Sequence, residues 1–257
     1  MREHQDGARV VTESYQPPAH FAPDTFFRKS LFKARLTSDF PFNTIYRDLK
    51  KFLPGVRGKV VDVGAGQSPY KHLLDTDVAQ YLGLDIRSSD NFGYNNPEIV
   101  RFDGRHIPLD SESTDALLCT EVLEHVEDAQ ELIDEMYRIL KPGGSGIFTI
   151  PWSARYHYIP HDYHRFTPSR LKNMFSAFSS ASIEPRGTDI TAIVSKSIVV
   201  YLRLLSPKNK RWLPISLLAA IVGAPIAFGA ALLGHASIQL KIGSTDDPLG
   251  YTVWVEK

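Results

Sequence analysis

The stretch Lys59-Val60-Val61-Asp62-Val63-Gly64-Ala65-Gly66 decides the fold. Its β-branched apolar run predicts a buried strand, and the glycines directly after it predict a tight turn where the backbone can approach a ligand. Similar apolar runs follow at residues 81–85, 99–103, 115–120 and 146–151. Strands separated by crossover-length segments are typical of a parallel sheet, so the sequence predicts an α/β fold with its ligand at the carboxyl ends of the strands.

Helical patterns lie before and between these strands. Ile45, Leu49 and Phe52 recur at helical spacing, which predicts an amphipathic helix over residues 43–53 with Asn43 as its N-cap. A second helix is predicted over Asp128–Leu140, because a Lys-Pro-Gly-Gly stop signal follows it directly. Two further strands are predicted at residues 181–186 and 251–256.

Composition excludes several classes of protein. The 257 residues contain 29 Lys and Arg against 29 Asp and Glu, so the chain lacks the positive field expected of a nucleic-acid-binding protein. The single cysteine, Cys119, excludes an internal disulfide framework and indicates a reducing compartment. The first twenty residues contain no apolar core of a secretory signal, so we expect a cytoplasmic protein.

Acidic and small residues follow each predicted strand. Asp85 comes about 20 residues after the glycine turn, where an acidic side chain typically binds ribose hydroxyls. Asp103-Gly104 and Thr120-Glu121 end the next two strands. Pro69 occupies the position where a dinucleotide fingerprint has its third glycine, which disfavours a nicotinamide cofactor.

The motifs VVDVGAG, GLDI, FDG-x-x-x-P, DALLCTEVLEHV and ELIDEMYRILKPGG together resemble the class I S-adenosylmethionine-dependent methyltransferases, specifically the type 11 methyltransferase domain, over residues 57–178. This resemblance implies a Rossmann-like seven-stranded sheet with helices on both faces and an antiparallel last strand. It also implies S-adenosyl-L-methionine as the cofactor. The implied cofactor-binding residues are Asp62, Gly64, Ala65 and Gly66 at the methionine end, Asp85 at the ribose, Asp103 and Gly104 at the adenine, and Thr120 and Glu121 after the fourth strand.

The segment 151–168, just past the fifth predicted strand, contains three of the nine histidines. We predict His161 as the base that deprotonates an acceptor hydroxyl, Asp162 as its orienting acid, and His164 as a further catalytic residue. The alternative is that Tyr163, Arg165 and Phe166 simply pack this loop onto the following helix. The run HDYHRFTPSRLKNMF resembles glycan and lipopolysaccharide biosynthesis relatives, which implies a sugar hydroxyl as the acceptor.

A divalent metal is a second possibility for the same region. Glu121, Glu124 and His125 share one side of a helical turn, and with His161 or His164 they form an oxygen and nitrogen ligand set. The alternative is that the glutamates line the cofactor while His125 caps or packs. The sequence leaves these two interpretations open.

An apolar insertion separates the sixth and seventh predicted strands. Residues 212–240 contain no Asp, Glu, Lys or Arg, and they follow the basic residues Lys196, Arg203, Lys208, Lys210 and Arg211. Basic residues beside an apolar segment favour an anionic membrane surface. We predict a monotopic helical hairpin, bent near Gly223–Pro225, that contacts the cytoplasmic membrane face through residues 212–234. Buried core helices, a lid, a dimer surface and a full transmembrane span are the alternatives.

These observations combine into one predicted organisation: a partly disordered segment over 1–42, a methyltransferase core over 43–190, the apolar insertion over 191–248 and the last strand over 249–257. The predicted function is O-methylation of a glycan or lipid-linked sugar at the membrane face. The alternatives are methylation of a lipophilic phenol of the quinone type and a non-catalytic, membrane-associated binding protein on the same fold.

Overall fold

The computed structural model describes residues 22–86, 96, 98–207 and 209–257. Seven strands in this part of the chain form one sheet: β1 (Gly58–Val63), β2 (Ala79–Ile86), β3 (Ile99–Phe102), β4 (Thr114–Thr120), β5 (Leu140–Pro151), β6 (Ser180–Arg186) and β7 (Gly250–Glu256). The strand order is β3-β2-β1-β4-β5-β7-β6. Strands β1 to β5 pair in parallel, whereas β7 pairs antiparallel with both β5 and β6. The predicted seven-stranded sheet and its antiparallel last strand are confirmed.

Helices cover both faces of the sheet: α1 (Phe26–Ser38), α2 (Phe40–Phe52), α3 (Ala129–Ile139), α4 (Pro168–Met174), α5 (Asp189–Leu205) and α6 (Leu213–Leu240). Adjacent residues of β1 point to opposite faces, as in any strand. Val61 belongs to the core that α3 and α4 cover, and Val60 belongs to the core that α2 covers. The central strands are therefore buried on both sides, which explains their continuous apolar runs.

Helical structure begins earlier than the sequence indicated. Thr25 caps α1, so residues 26–38 and 40–42 of the segment predicted to be partly disordered form helix, and residues 1–21 lie outside the described residues. Asp39 caps α2 by accepting a hydrogen bond from the Phe42 N–H at 3.1 Å. The prediction of Asn43 as the N-cap is wrong, since Asn43 lies inside α2 and donates its side-chain amide to the Leu36 carbonyl.

The predicted helix over residues 128–140 is confirmed as α3, with Asp128 as its N-cap. Strand β5 begins at Leu140, directly after α3 ends at Ile139. The Lys-Pro-Gly-Gly stop therefore lies within the β5 range. Gly143 adopts a φ of 75°, which allows the chain to turn there without a side-chain clash.

The apolar insertion is a hairpin made by α5 and α6, and the chain direction reverses between the end of α5 and the start of α6. The bend predicted near Gly223–Pro225 is wrong, because α6 is one continuous helix of 28 residues. Helix α5 packs closely against α6 at Gly223 and supports the straight helix there. The packing is so close that a Cβ at Gly223 would lie 2.5 Å from the Tyr201 ring. The Ser216 hydroxyl also donates to the Leu204 carbonyl at 2.6 Å.

Small residues line the side of α6 that meets α5 and the domain, whereas its large apolar residues face outward. The small residues recur at alternating spacings of four and three: Ser216, Ala220, Gly223, Ala227, Ala230, Gly234 and Ser237. Just three of the 28 residues in α6 are buried. Ile221 is 68% exposed and Phe228 is 66% exposed, so most of the apolar surface of this helix remains uncovered.

The base of the hairpin is attached to the domain. The Thr188 and Ser237 hydroxyls lie 2.6 Å apart in a buried hydrogen bond. His235 Nε2 lies 2.9 Å from the Thr37 carbonyl. Gly234 contacts Phe40, whose ring would lie 2.5 Å from any Cβ at that position. The carboxyl end of α6 is therefore fixed, while its amino end and the end of α5 extend away.

Two Gly→Ala changes in α6 test this attachment. Gly234→Ala should lower the free energy of unfolding by about 1–3 kcal/mol, because the new methyl group overlaps Phe40. Gly229→Ala is the matched control, since a Cβ there meets nothing within 4 Å. It should be neutral or stabilising by roughly 0.5–1 kcal/mol through helix propensity. Urea unfolding measures both, and equal effects would contradict the described contact.

Candidate active site

The carboxyl ends of β1 and β4 meet where the strand order reverses, and a parallel sheet binds its ligands at such a point. The predicted residues Gly64, Ala65 and Gly66 form the turn directly after β1. Gly64 has a φ of 77°, and a Cβ there would lie 2.2 Å from Val122. Only glycine therefore fits this turn beside the loop that follows β4.

Asp85 ties the glycine turn to the end of β2. Its Oδ2 accepts a hydrogen bond from the Gly66 N–H at 2.9 Å, and its Oδ1 accepts from the Ile86 N–H at 2.8 Å. The Gly64 and Ala65 N–H groups both donate to the Leu84 carbonyl. The structure thus brings the predicted residues of β1 and β2 together at one edge.

Asp62 is buried beneath this turn. Its Oδ2 accepts a hydrogen bond from the Tyr81 hydroxyl at 2.6 Å, whereas its Oδ1 has no hydrogen-bond partner in the described part of the chain. Burial raises the pKa of Asp62 to about 7, with a further rise from the Asp85 charge and an opposing effect of the Tyr81 hydrogen bond. A buried carboxyl group with one unused oxygen favours a cationic partner. The sequence did not single out Tyr81.

Asp103 and Gly104 shape the turn after β3. Asp103 Oδ1 accepts hydrogen bonds from the Arg105 and His106 N–H groups at 2.8 and 2.7 Å. These backbone hydrogen bonds, the Arg105 bond first, hold the pKa of Asp103 below its ordinary value. Gly104 has a φ of 87°. The Asp103 side chain is 61% exposed at the carboxyl edge of the sheet, and its Oδ2 lies 3.7 Å from His106 Nδ1.

Thr120 ends β4, and Glu121 directly after it adopts a φ of 53°. Glu121 Oε1 lies 2.7 Å from Nη2 of Arg186, which is 3% exposed. This ion pair occupies the Glu121 carboxylate, and Glu121 is not among the residues whose potential ligand atoms cluster with Glu124 and His125. The predicted ligand set of Glu121, Glu124 and His125 is therefore not assembled. Sequence reasoning missed Arg186, which lies 65 residues further along the chain.

The loop after β5 is organised around Asp162, whose side chain is 1% exposed. Its Oδ1 lies 2.6 Å from Arg165 Nη1, and its Oδ2 lies 3.1 Å from His157 Nδ1. Burial acts to raise the pKa of Asp162, but the hydrogen bonds from Arg165 and the His157 N–H outweigh it and hold the pKa at about 2. Asp162 is thus a permanent anion that orients a histidine.

The histidine that Asp162 orients is His157, so the predicted pairing of His161 with Asp162 is wrong. The loop folds back so that both the backbone and the ring of His157 reach Asp162. His161 Nδ1 instead lies 2.9 Å from the Tyr163 hydroxyl. His164 Nε2 lies 3.1 Å from the Glu127 carbonyl. Phe166 is buried in the core beside α4, as the packing alternative required.

Hydrogen bonds dock this loop onto the short turn after β4. The Glu124 carbonyl accepts from the Tyr163 and His164 N–H groups at 2.8 and 3.3 Å. As a result Glu124, His125 and His157 form a cluster, which we call the histidine wall, whose potential ligand atoms lie within 4.8 Å of one another. Burial raises the pKa of Glu124 well above its ordinary value, and burial lowers the pKa of His125 to about 4.

A cavity of about 380 Å³ lies at the opposite edge of the sheet, at the amino ends of the parallel strands. It is lined by the end of α2, the start of β4 and residues such as Arg57, Asp115 and Trp254. Ligands of open parallel sheets bind at the carboxyl ends. Asp115 is moreover already paired with Lys141 at 2.7 Å. We therefore assign the active site to the carboxyl edge.

Comparisons with known proteins agree with this geometry. Residues 61–148 match the family model described as a methyltransferase domain. A probable S-adenosylmethionine-dependent methyltransferase of Mycolicibacterium smegmatis is 24% identical over 136 residues, which cover 51% of this chain and 52% of that protein. The chain thus spans about half the length of this curated relative.

Two solved structures share the fold. A methyltransferase of Archaeoglobus fulgidus that depends on S-adenosylmethionine is 17% identical with a TM-score of 0.52, over 91% of this chain and 100% of that one. Phosphoethanolamine N-methyltransferase 2 of Haemonchus contortus, solved with S-adenosyl-L-methionine, is 16% identical with a TM-score of 0.50, over 88% of this chain and 57% of that one.

The buried carboxyl of Asp62 predicts a pH dependence of stability. The folded protein holds this proton up to about pH 7, whereas the unfolded chain releases it near the ordinary aspartate pKa of 3.8. The folded state therefore binds more protons in between, and stability falls as the pH rises through this window, by up to about 4 kcal/mol.

Asp62→Asn should remove this part of the decline, so that the variant gains stability relative to wild type between pH 4 and pH 8. Asn keeps an oxygen to accept the Tyr81 hydrogen bond. Thermal unfolding across this pH range measures the difference. Parallel curves for the two proteins would contradict the assignment of the raised pKa to Asp62.

Proposed function

We propose that this chain, which carries a class I methyltransferase domain over residues 61–148, is an S-adenosylmethionine-dependent methyltransferase. The observation that carries the proposal is the convergence of Asp62, the Gly64–Gly66 turn, Asp85 and Asp103 at the carboxyl edge of β1, β2 and β3. S-adenosylmethionine supplies an activated methyl group, so the protein has only to align an acceptor with it and to accept the acceptor's proton.

The residues at this edge fit the cofactor. The unused Oδ1 of Asp62 is an acceptor for an ammonium group in a buried position. Asp85 carries lone pairs suited to ribose hydroxyls, and the absence of a side chain at Gly64 keeps the turn against Val122. We assign Asp62 to the methionine end, Asp85 to the ribose and Asp103 to the adenine side.

We place the acceptor at the histidine wall. It follows β4 directly, on the same edge as Glu121, and the loop after β5 closes over it. His157 Nδ1 lies 2.9 Å from the Arg155 carbonyl, which can only accept, so Nδ1 carries the proton and Nε2 offers a lone pair. Asp162 orients this ring, and its Nε2 lone pair is suited to accept the proton of an acceptor hydroxyl. We therefore assign the contact with the acceptor to His157, in place of the predicted His161 and His164.

We further propose that the acceptor is a glycan or lipid-linked sugar and that the α5–α6 hairpin contacts the cytoplasmic face of an anionic membrane. Between Asp189 and Asp246 the sequence contains no acidic residue and six basic ones: Lys196, Arg203, Lys208, Lys210, Arg211 and Lys241. Lys210 and Arg211 are exposed at the reversal between the helices, beside Trp212. Lys208 lies outside the described residues.

Monotopic contact fits the hairpin better than a crossing. The stretch Lys210–Leu240 is long and apolar enough to span a bilayer. However, α5 packs beside α6 and is shorter, since its 17 residues measure about 25 Å against about 30 Å of hydrocarbon. The chain then returns to the sheet as β7.

The cofactor assignment makes a first prediction. Asp85→Ala should weaken S-adenosylmethionine binding by roughly 1.5–3 kcal/mol, because it removes charge-assisted hydrogen bonds and releases the Gly66 N–H. Asp77→Ala, an exposed acid before β2, is the matched control and should leave affinity unchanged. Calorimetry measures both. Tighter binding of NAD than of S-adenosylmethionine by the wild-type protein would overturn the assignment.

The membrane proposal makes a second prediction. Ile226→Asp with Phe228→Asp should abolish co-sedimentation with anionic vesicles, because each charge costs over about 2 kcal/mol in an apolar environment. Both side chains are about two-thirds exposed, so the fold should survive. Lys210→Gln with Arg211→Gln should weaken binding by about 1 kcal/mol per residue and flatten its salt dependence.

Val100→Asp, an exposed valine on β3 far from the hairpin in the chain, is the control and should leave vesicle binding intact. If the wild-type protein does not sediment with vesicles and sedimentation velocity gives a dimer that Ile226→Asp dissociates, the hairpin is covered by a second copy of the chain. The membrane proposal is then wrong, while the cofactor site is unaffected.

A further inference from the structure

Glu124 is fully buried at the active-site edge, and neither of its carboxylate oxygens has a hydrogen-bond partner within the described ranges. Buried carboxyl groups are normally paired or bound to a cation. Glu124 Oε1 lies 3.5 Å from Nε2 of His125, which is also buried without a hydrogen-bond partner in the described part of the chain. Three unused polar atoms therefore face one another.

The tautomers of the two histidines follow from their partners. His125 Nδ1 contacts the His161 carbonyl, and His157 Nδ1 contacts the Arg155 carbonyl. A carbonyl oxygen can only accept, so both Nδ1 atoms carry protons and both Nε2 atoms present lone pairs. One ring nitrogen of each histidine and a Glu124 carboxylate oxygen lie within 4.8 Å of one another, which makes a set of two nitrogen donors and one oxygen donor.

The surroundings of His157 match those of a metal-binding histidine. Asp162 holds its Nδ1 at 3.1 Å, and Arg165 balances the Asp162 charge at 2.6 Å. Carboxylates and backbone carbonyls at the second ring nitrogen orient histidine ligands in this way. The side chains of His125 and His157 are 19% and 18% exposed, which leaves the cluster open on one side.

We propose that Glu124, His125 and His157 bind a divalent transition-metal ion through one carboxylate oxygen and the two Nε2 atoms. Imidazole nitrogens and a carboxylate suit ions such as Zn²⁺, Fe²⁺ and Co²⁺. Three protein ligands leave a coordination position open for an oxygen of the acceptor. This set differs from the one predicted from sequence, since Glu121 is paired with Arg186 and His157 replaces His161 or His164.

The role of the ion rests on the proposed function. With its Nε2 on the ion, His157 would no longer accept the acceptor's proton. A hydroxyl at the open position would instead lose its proton to solvent more readily, and its oxygen lone pair would then form the new bond to the methyl carbon. The carbon–sulfur bond breaks, its electron pair stays on sulfur, and S-adenosylhomocysteine leaves. The competing arrangement is a protonated Glu124 that donates to His125 Nε2 and binds no ion.

Cobalt binding distinguishes the two arrangements without relying on turnover. Full-length protein treated with EDTA should bind Co²⁺ with visible d–d absorption, and Zn²⁺ should displace it. Glu124→Gln and His157→Ala should each weaken binding by roughly 100-fold or more, and Asp162→Asn by roughly 10–100-fold. His164→Ala, a histidine of the same loop outside the cluster, is the matched control and should bind as wild type does.

Circular dichroism checks that both ligand variants, Glu124→Gln and His157→Ala, are folded before cobalt is added. Wild-type protein without Co²⁺ absorption, or a folded His157→Ala that binds Co²⁺ as tightly as wild type, would overturn the metal site. Calorimetry with S-adenosylmethionine on the same samples separates the two proposals. Cofactor binding without cobalt binding would overturn the metal site alone. Cobalt binding without cofactor binding would overturn the proposed function.

Discussion

The buried guanidinium of Arg186 holds together the parts of the molecule that meet at the active site. It lies at the end of β6, is 3% exposed, and donates to the Ile150 carbonyl of β5 and to the Glu121 carboxylate after β4. Removing either partner of a buried ion pair leaves an uncompensated charge. The ion pair therefore fixes both Arg186 at the end of β6 and Glu121 after β4. The conformation of the loop after β4 and the point where the insertion leaves the sheet are therefore coupled.

The position of Arg186 at the end of β6 also explains why the insertion is a hairpin. Arg186 pairs with Gly250 in the β6–β7 ladder, so the two ends of the insertion lie side by side. Gly250 is required there, because a Cβ would lie 2.4 Å from the Ile150 carbonyl. Any structure between these residues must return to where it started. The buried Thr188–Ser237 hydrogen bond closes the base, and the apolar remainder extends outward.

Local patterns were sufficient to predict the sheet and the glycine turn. The structure confirms the alternation of strands and helices, the Gly64–Gly66 turn and the position of Asp85. These features could be predicted because each depends on residues that are close together in the sequence. The active-site loop was harder, because it has no period: His157 and His161 both lie near Asp162, and only the folded backbone shows which ring reaches it.

Tertiary contacts account for the other differences. Arg186 lies far from Glu121 in sequence, so no motif joins them. Gly223 and Pro225 suggested a bend, yet α5 supports a continuous helix because the Tyr201 ring packs against Gly223. The early helix α1 has a polar sequence whose one buried residue is Phe32, which packs edge-on against Phe42 of α2. Propensity and periodicity carry little signal for such contacts.

The most direct measurement of the central claim is transfer of a tritiated methyl group from S-adenosylmethionine to membranes that are then separated into lipid, glycan, protein and small-molecule fractions. The account predicts label in the lipid-linked glycan fraction, as an ether that survives mild base, with strongly reduced transfer by Asp85→Ala at cofactor concentrations that do not saturate the variant. Label confined to a lipophilic phenol would contradict the sugar acceptor. Binding of the cofactor without label in any fraction would contradict methyl transfer itself and indicate a non-catalytic binding protein.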